Sequence, residues 1–120
     1  MKQWRTMLAG ATLALLLAPP AAVAQRSDTL VVDGKDWVSA TQVERRAFLV
    51  GAANMIIAEN AYAKKRNVAP APVSDRLTKA TDKMRIADIE ARITRWYEAN
   101  PGKLATPVMG VVWQDIVGKP

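Results

Sequence analysis

Three carboxylates fall where a helical hairpin would bring them together. Glu59 sits late in one apolar-periodic segment, and Asp88 and Glu90 sit early in the next. Paired acids of this kind act as general acid and base, or as acid and nucleophile, in glycoside hydrolysis. Beyond them the chemical vocabulary is thin. The 120 residues hold no cysteine and no histidine. That removes disulfides, thiol nucleophiles, thiolate and imidazole metal ligands, and every Ser/His or Cys/His arrangement. No acidic spacing matches a calcium loop. Acids on the wet faces of helices are accounted for by solvation alone. The expectation is therefore a non-enzyme, with no catalytic residue, no cofactor and no metal.

Binding is the remaining kind of chemistry. Trp37, Trp96 and Trp113 lie in the last hundred residues. Tryptophan dominates interface hot spots, and it also packs cores with its indole N–H satisfied at the edge. Trp96 matches an apolar helical spacing and reads as core. Trp113 is followed by Gln114 and Asp115, which places it at the rim of its helix. Lys64, Lys65 and Arg66 form a basic cluster. Such a cluster complements the negative pole of a helix end, and a nucleic-acid surface would need more charge with interleaved aromatics. Trp37, Lys64, Lys65, Arg66 and Trp113 are the candidate partner-binding residues.

The elements that must position these residues are helical. Thr41 and Glu44 fit a capping box, in which hydroxyl and carboxylate each satisfy a backbone N–H of the other. From there Val43, Ala47, Val50, Ala53 or Asn54, Ile57 and Ala61 recur at helical spacing to about residue 65, widened by Phe48, Met55 and Tyr62. Gly51 inside this helix is expected to admit another helix closely, since glycine there costs about 1 kcal/mol against alanine. Pro70 and Pro72 predict a loop over 67–73, and 74–84 is ambiguous, with Ser74 or Thr81 as caps. Ile86, Ile89, Ile93, Trp96 and Tyr97 predict a second long helix over 85–99, stopped by Asn100-Pro101-Gly102, with Asp88 and Arg92 four apart as a surface pair. Thr106 and Pro107 open a short third helix with Val108, Val111, Val112 and Ile116 inward, ended by Gly118. Before the first helix, Leu30-Val31-Val32 reads as extended and Asp33-Gly34 as a turn, with Trp37 folding back as an apolar lid. The fold class is all-α: two long antiparallel helices plus a short C-terminal helix, in one domain over 25–120. Ile86, Ile89, Ile93 and Trp96 are expected to face Val43, Ala47, Val50 and Ile57.

Residues 1–24 read as an address. Lys2 and Arg5 precede an apolar stretch from Met7 to Leu17, then Pro19, Pro20 and the small-residue end Ala22-Val23-Ala24. That is the layout of a secretory signal peptide cleaved after Ala24. The apolar stretch is shorter than the ~20 residues that span a bilayer, and no later segment is apolar enough to insert stably. No cysteine follows the site, and no arginine pair precedes it, so neither lipidation nor twin-arginine export is expected. The net charge of +6 falls by two when the leader goes. This modest surplus serves solubility or an acidic partner. A secreted chain without cysteine suits a bacterial periplasm.

Two stretches carry a family likeness. Residues 33–56 combine Trp37, the capped helix start, the pair Arg45-Arg46, Phe48 and Gly51. Trp96-Tyr97-Glu98-Ala99-Asn100-Pro101 is followed by Pro107-Val108 and a short helix. Together, over roughly 33–117, they resemble the Rap/Tai-type immunity proteins, small exported all-helical bacterial proteins. The resemblance implies protein–protein binding in the periplasm, with a toxin effector delivered by type VI secretion as the partner. The alternatives are a periplasmic accessory or structural protein, homodimeric among other arrangements, and a small carboxylate-dependent enzyme. Nucleic acid is not an expected partner.

Overall fold

A short helix, α1 (Gly34–Ser39), begins on a reciprocal cap. Asp33 accepts from the backbone N–H groups of Lys35 and Asp36 at 2.8 and 3.2 Å, and the Asp36 carboxylate accepts from the N–H of Asp33 at 3.2 Å. Asp33-Gly34 is thus a helix start rather than the expected turn. Gly34 donates to the Leu104 carbonyl and Val108 donates to the Val32 carbonyl, which clamps this segment to the C-terminal part of the chain. Trp37 projects from α1 into the core, as the expected lid, and is 1% exposed. The computed structural model describes residues 30–119. The proposed leader over 1–24 and the mature start at Gln25 lie outside the described residues.

Helix α2 (Gln42–Arg66) starts on the predicted box. The Thr41 hydroxyl accepts from the Glu44 N–H at 3.3 Å, and Glu44 accepts from the Thr41 N–H at 2.7 Å. It ends at Asn67, whose φ of 54° is the left-handed conformation that closes many helices. Helix α3 (Pro72–Thr81) follows. Pro72 therefore opens a helix at its first position, where a missing N–H is harmless, instead of prolonging a loop. Helix α4 (Ile86–Ala99) runs antiparallel to α2: Arg46 meets Glu90, while Ile56, further along, borders Ile86. A 3-10 turn (Pro101–Lys103) leads to α5 (Val108–Val111), which widens into a π turn over Val112–Val117. Pro107 caps α5 rather than occupying its first turn. The fold is all-α; among the described residues the β-type pairing is an isolated antiparallel bridge between Asp33 and Pro107.

The core gathers Trp37, Leu49, Leu77, Ile89, Ile93, Tyr97, Val108, Val111, Val112 and Ile116, with Ile86 and Trp96 packed at its margin. The inward face of α4 is the expected one. The inward face of α2 is not. Leu49 and Ala63 are buried, and Phe48, Ala52, Ala53 and Ile56 are half-buried. Val43, Val50 and Ile57 are exposed, at 77, 44 and 63%. The reason is that α2 is apolar nearly all round. Both stripes recur by threes and fours, so periodicity alone cannot choose between them. Phe48, Leu49 and Ile56 take the inward position. Gly51 consequently faces open space: a Cβ there would meet nothing within 4 Å.

Candidate partner-binding surface

The three carboxylates do not converge. Glu59 turns to α3, where its Oε1 accepts from the Ala71 N–H at 3.1 Å. Ala71 is the N-cap of α3 and has no side-chain oxygen to offer, so Glu59 caps a neighbouring helix from outside, where a negative charge also suits the helix dipole. Asp88 closes its own helix start. It accepts from the Arg85 N–H at 3.1 Å and from the Arg85 guanidinium, whose hydrogen bond holds the carboxyl below its usual range and raises the arginine in return. Glu90, 6% exposed, takes Arg46 Nε at 2.9 Å. Each acid is held by a cation or an amide, so each has a structural use. Among the described residues no three acids gather as a metal site, and no helix is long and apolar enough to cross a membrane.

The expected Asp88–Arg92 pair does not form. Arg92 reaches across to the C-terminal turn instead. It binds the Asp115 carboxylate at 2.8 Å and donates to the carbonyls of Asp115 and Lys119. The Asp115 carbonyl lies in the π turn and the Lys119 carbonyl just past its end, so Arg92 satisfies acceptors at a helix C-terminus. Arg45 does the same for α1, donating to the Trp37 carbonyl at 2.7 Å and the Val38 carbonyl at 3.3 Å. Sequence spacing carries no signal for either contact, because both partners are distant or on another element. Tyr97 donates to the Thr106 carbonyl at 2.6 Å. Burial, with a smaller contribution from the Asp33 carboxylate, pushes its phenol up to about 12.

The candidate contact residues fall into three settings. Trp37 is core: its Nε1 donates to Thr94 Oγ1 at 3.1 Å and its ring is enclosed. It is unavailable to a partner and leaves the contact set. Lys64, Lys65 and Arg66 are exposed at the end of α2, with Arg66 lying 5.7 Å over the Tyr62 ring. Trp113 is 37% exposed on the π turn, with Arg76 of α3 at 5.9 Å over its ring and Met109 exposed one turn earlier. The basic end and Trp113 belong to different elements. The exposed face of α2 adds a surface that the five named residues did not include. Open surface clefts of about 500, 380 and 320 Å³ occur, the first lined by Arg92, Trp96, Asn100 and Asp115, while the apolar cleft lined by Leu49, Ala53, Leu77 and Val112 holds about 60 Å³.

No protein-family model, no curated protein and no solved structure matches this chain.

Proposed function

We propose that this chain is an exported helical protein of the bacterial periplasm that acts by binding another protein. Its reading as an inhibitor of a secreted toxin comes from the resemblance to Rap/Tai-type immunity proteins. The observation that carries the binding reading is the Trp113 ring, set at the surface beneath Arg76, with Met109 also exposed four residues earlier. Tryptophan and arginine are the residue types that most often anchor interfaces, and a rigid, half-desolvated ring loses little freedom on binding. The engagement of Glu59, Asp88 and Glu90 in capping and ion pairing supports the same reading, since it gives each acid a use outside catalysis.

The test is paired. A partner is recovered from envelope extract with the purified protein and identified, and its affinity is measured against Trp113→Ala and Arg76→Ala. Trp113→Ala is expected to lose about 2 kcal/mol of binding, roughly thirtyfold, while unfolding changes by less than about 1 kcal/mol. Collapse of stability instead would make Trp113 a packing residue. Turnover of a cell-wall substrate that Glu59→Gln abolishes would replace binding with catalysis. Sequencing of the exported protein is expected to begin at Gln25.

A further inference from the structure

The outward face of α2 reads Val43, Ala47, Val50, Asn54, Ile57, Ala61 at alternating intervals of four and three. This is the spacing of a coiled-coil seam, sustained over nineteen residues with no charged residue at a seam position. All six residues are exposed, and the core of the protomer lies on the opposite side of the helix. We propose that this face pairs with the same face of a second copy, as a two-fold antiparallel helix pair.

Three features select a second copy. The seam maps onto itself when one helix is reversed about the level of residue 52. Val43 then meets Ala61 of the other copy, Ala47 meets Ile57, and Val50 meets Asn54. Every layer sets a branched side chain against a small or short one, so knobs meet holes throughout. A parallel pair would instead stack Val on Val and Ala on Ala. The second feature is the flank. Glu44, Gly51, Ala58 and Lys65 follow one another at sevens beside the seam. Reversal about residue 52 sets Gly51 within two residues, roughly 3 Å along the axis, of Gly51 of the other copy, where backbones must approach, and sets Glu44 at the same remove from Ala58, with Lys65 beyond the start of the other helix. Gly51, where an added Cβ would meet nothing within 4 Å among the other described elements, gains a reason at that approach. The third is size. Six seam residues and their small flank are far fewer than the roughly 20–30 a side of a standard interface, and match the size of a weak, concentration-dependent one.

This inference does not depend on the Trp113 surface. Sedimentation velocity of the purified protein from low to several hundred micromolar is expected to show reversible dimerisation. Ile57→Lys is expected to raise the dissociation constant at least tenfold, with the far-UV circular dichroism and dilute thermal melt unchanged. The register is read by oxidation, because the chain has no cysteine of its own. Val43→Cys mixed with Ala61→Cys should give a disulfide-linked heterodimer. Val43→Cys alone should not cross-link, since its two copies would lie roughly 27 Å apart along the pair. A monomer at every concentration would overturn the proposal and leave the face to an unrelated partner. Efficient cross-linking of Val43→Cys alone would overturn the antiparallel register.

Discussion

Glu59 shows how a residue that looks chemical can be structural. Its carboxylate accepts from the N–H of the α3 N-cap residue, the donor that a capping-box acid would take. Glu59→Ala should therefore destabilise the protein by about 1 kcal/mol, within the range of a lost helix cap. Glu59→Gln keeps an acceptor and should cost less; urea denaturation of both variants checks the order. Tyr97 gives a pH signature of its own. Its phenol is raised from about 10 to about 12 by folding, so the fold favours the neutral form. That contribution is fully present below about pH 10 and is lost as pH rises through 12. Urea midpoints measured from pH 8 to 12 should fall at the alkaline end, and Tyr97→Phe should fall less over that window while starting lower for want of the bond to Thr106. The Thr41–Glu44 box was legible because its atoms are three residues apart. Glu59 to Ala71 and Arg92 to Asp115 were not, because their spacing is set by how helices pack.

At the scale of elements, α1 is the least expected piece. Its six residues are too few to hold a helix alone. It persists because Asp33 caps it, Arg45 ties its last carbonyls, and Trp37 buries its weight against α4. Gly34 lets it lie this close. A Cβ at that position would sit 2.8 Å from the Leu104 carbonyl oxygen and closer still to the Tyr97 ring. Gly34→Ala should cost about 1–3 kcal/mol through overpacking, seen as a lowered thermal midpoint. Gly51→Ala in dilute protein should do the reverse, raising the midpoint by up to about 1 kcal/mol of helix propensity. Two glycines in helices thus part company on what surrounds them. The Pro72 start of α3 and the π turn after α5 show the same dependence on context. A proline reads as a stop until a neighbouring helix supplies its cap, and the wider turn is held by Arg92 from α4.

For the molecule as a whole, the decisive arrangement is α2 lying between a core and an open side. Ile93, 0% exposed, belongs to the core, and Ile57 to the open side. Ile93→Ala should cost about 2–5 kcal/mol, whereas Ile57→Ala at low concentration should cost less than about 0.5 kcal/mol. Equilibrium unfolding of the two variants distinguishes the packing described here from one in which α2 is turned half a revolution.

The helical class, the caps at Thr41, the stops at Asn67 and Asn100, and the inward stripe of α4 were all determined by local sequence. Each rests on residues within one or two turns, where propensity, capping and a single apolar stripe agree. The stripe of α4 was unambiguous because Asp88, Arg92 and Arg95 keep its other side polar. Helix α2 offers no such contrast, with Val43, Val50 and Ile57 on one side and Leu49, Ala52 and Ile56 on the other. Only tertiary packing could choose, because the choice depends on which surface best fills the space against Leu77, Ile89 and Val112. Tertiary packing likewise decided the fate of the candidate surface: the C-terminal turn packs on α3 with Trp113 at the rim, and α1 packs on α4 with Trp37 inside. Close packing is a property of several elements meeting at once, and no window of one chain segment contains it.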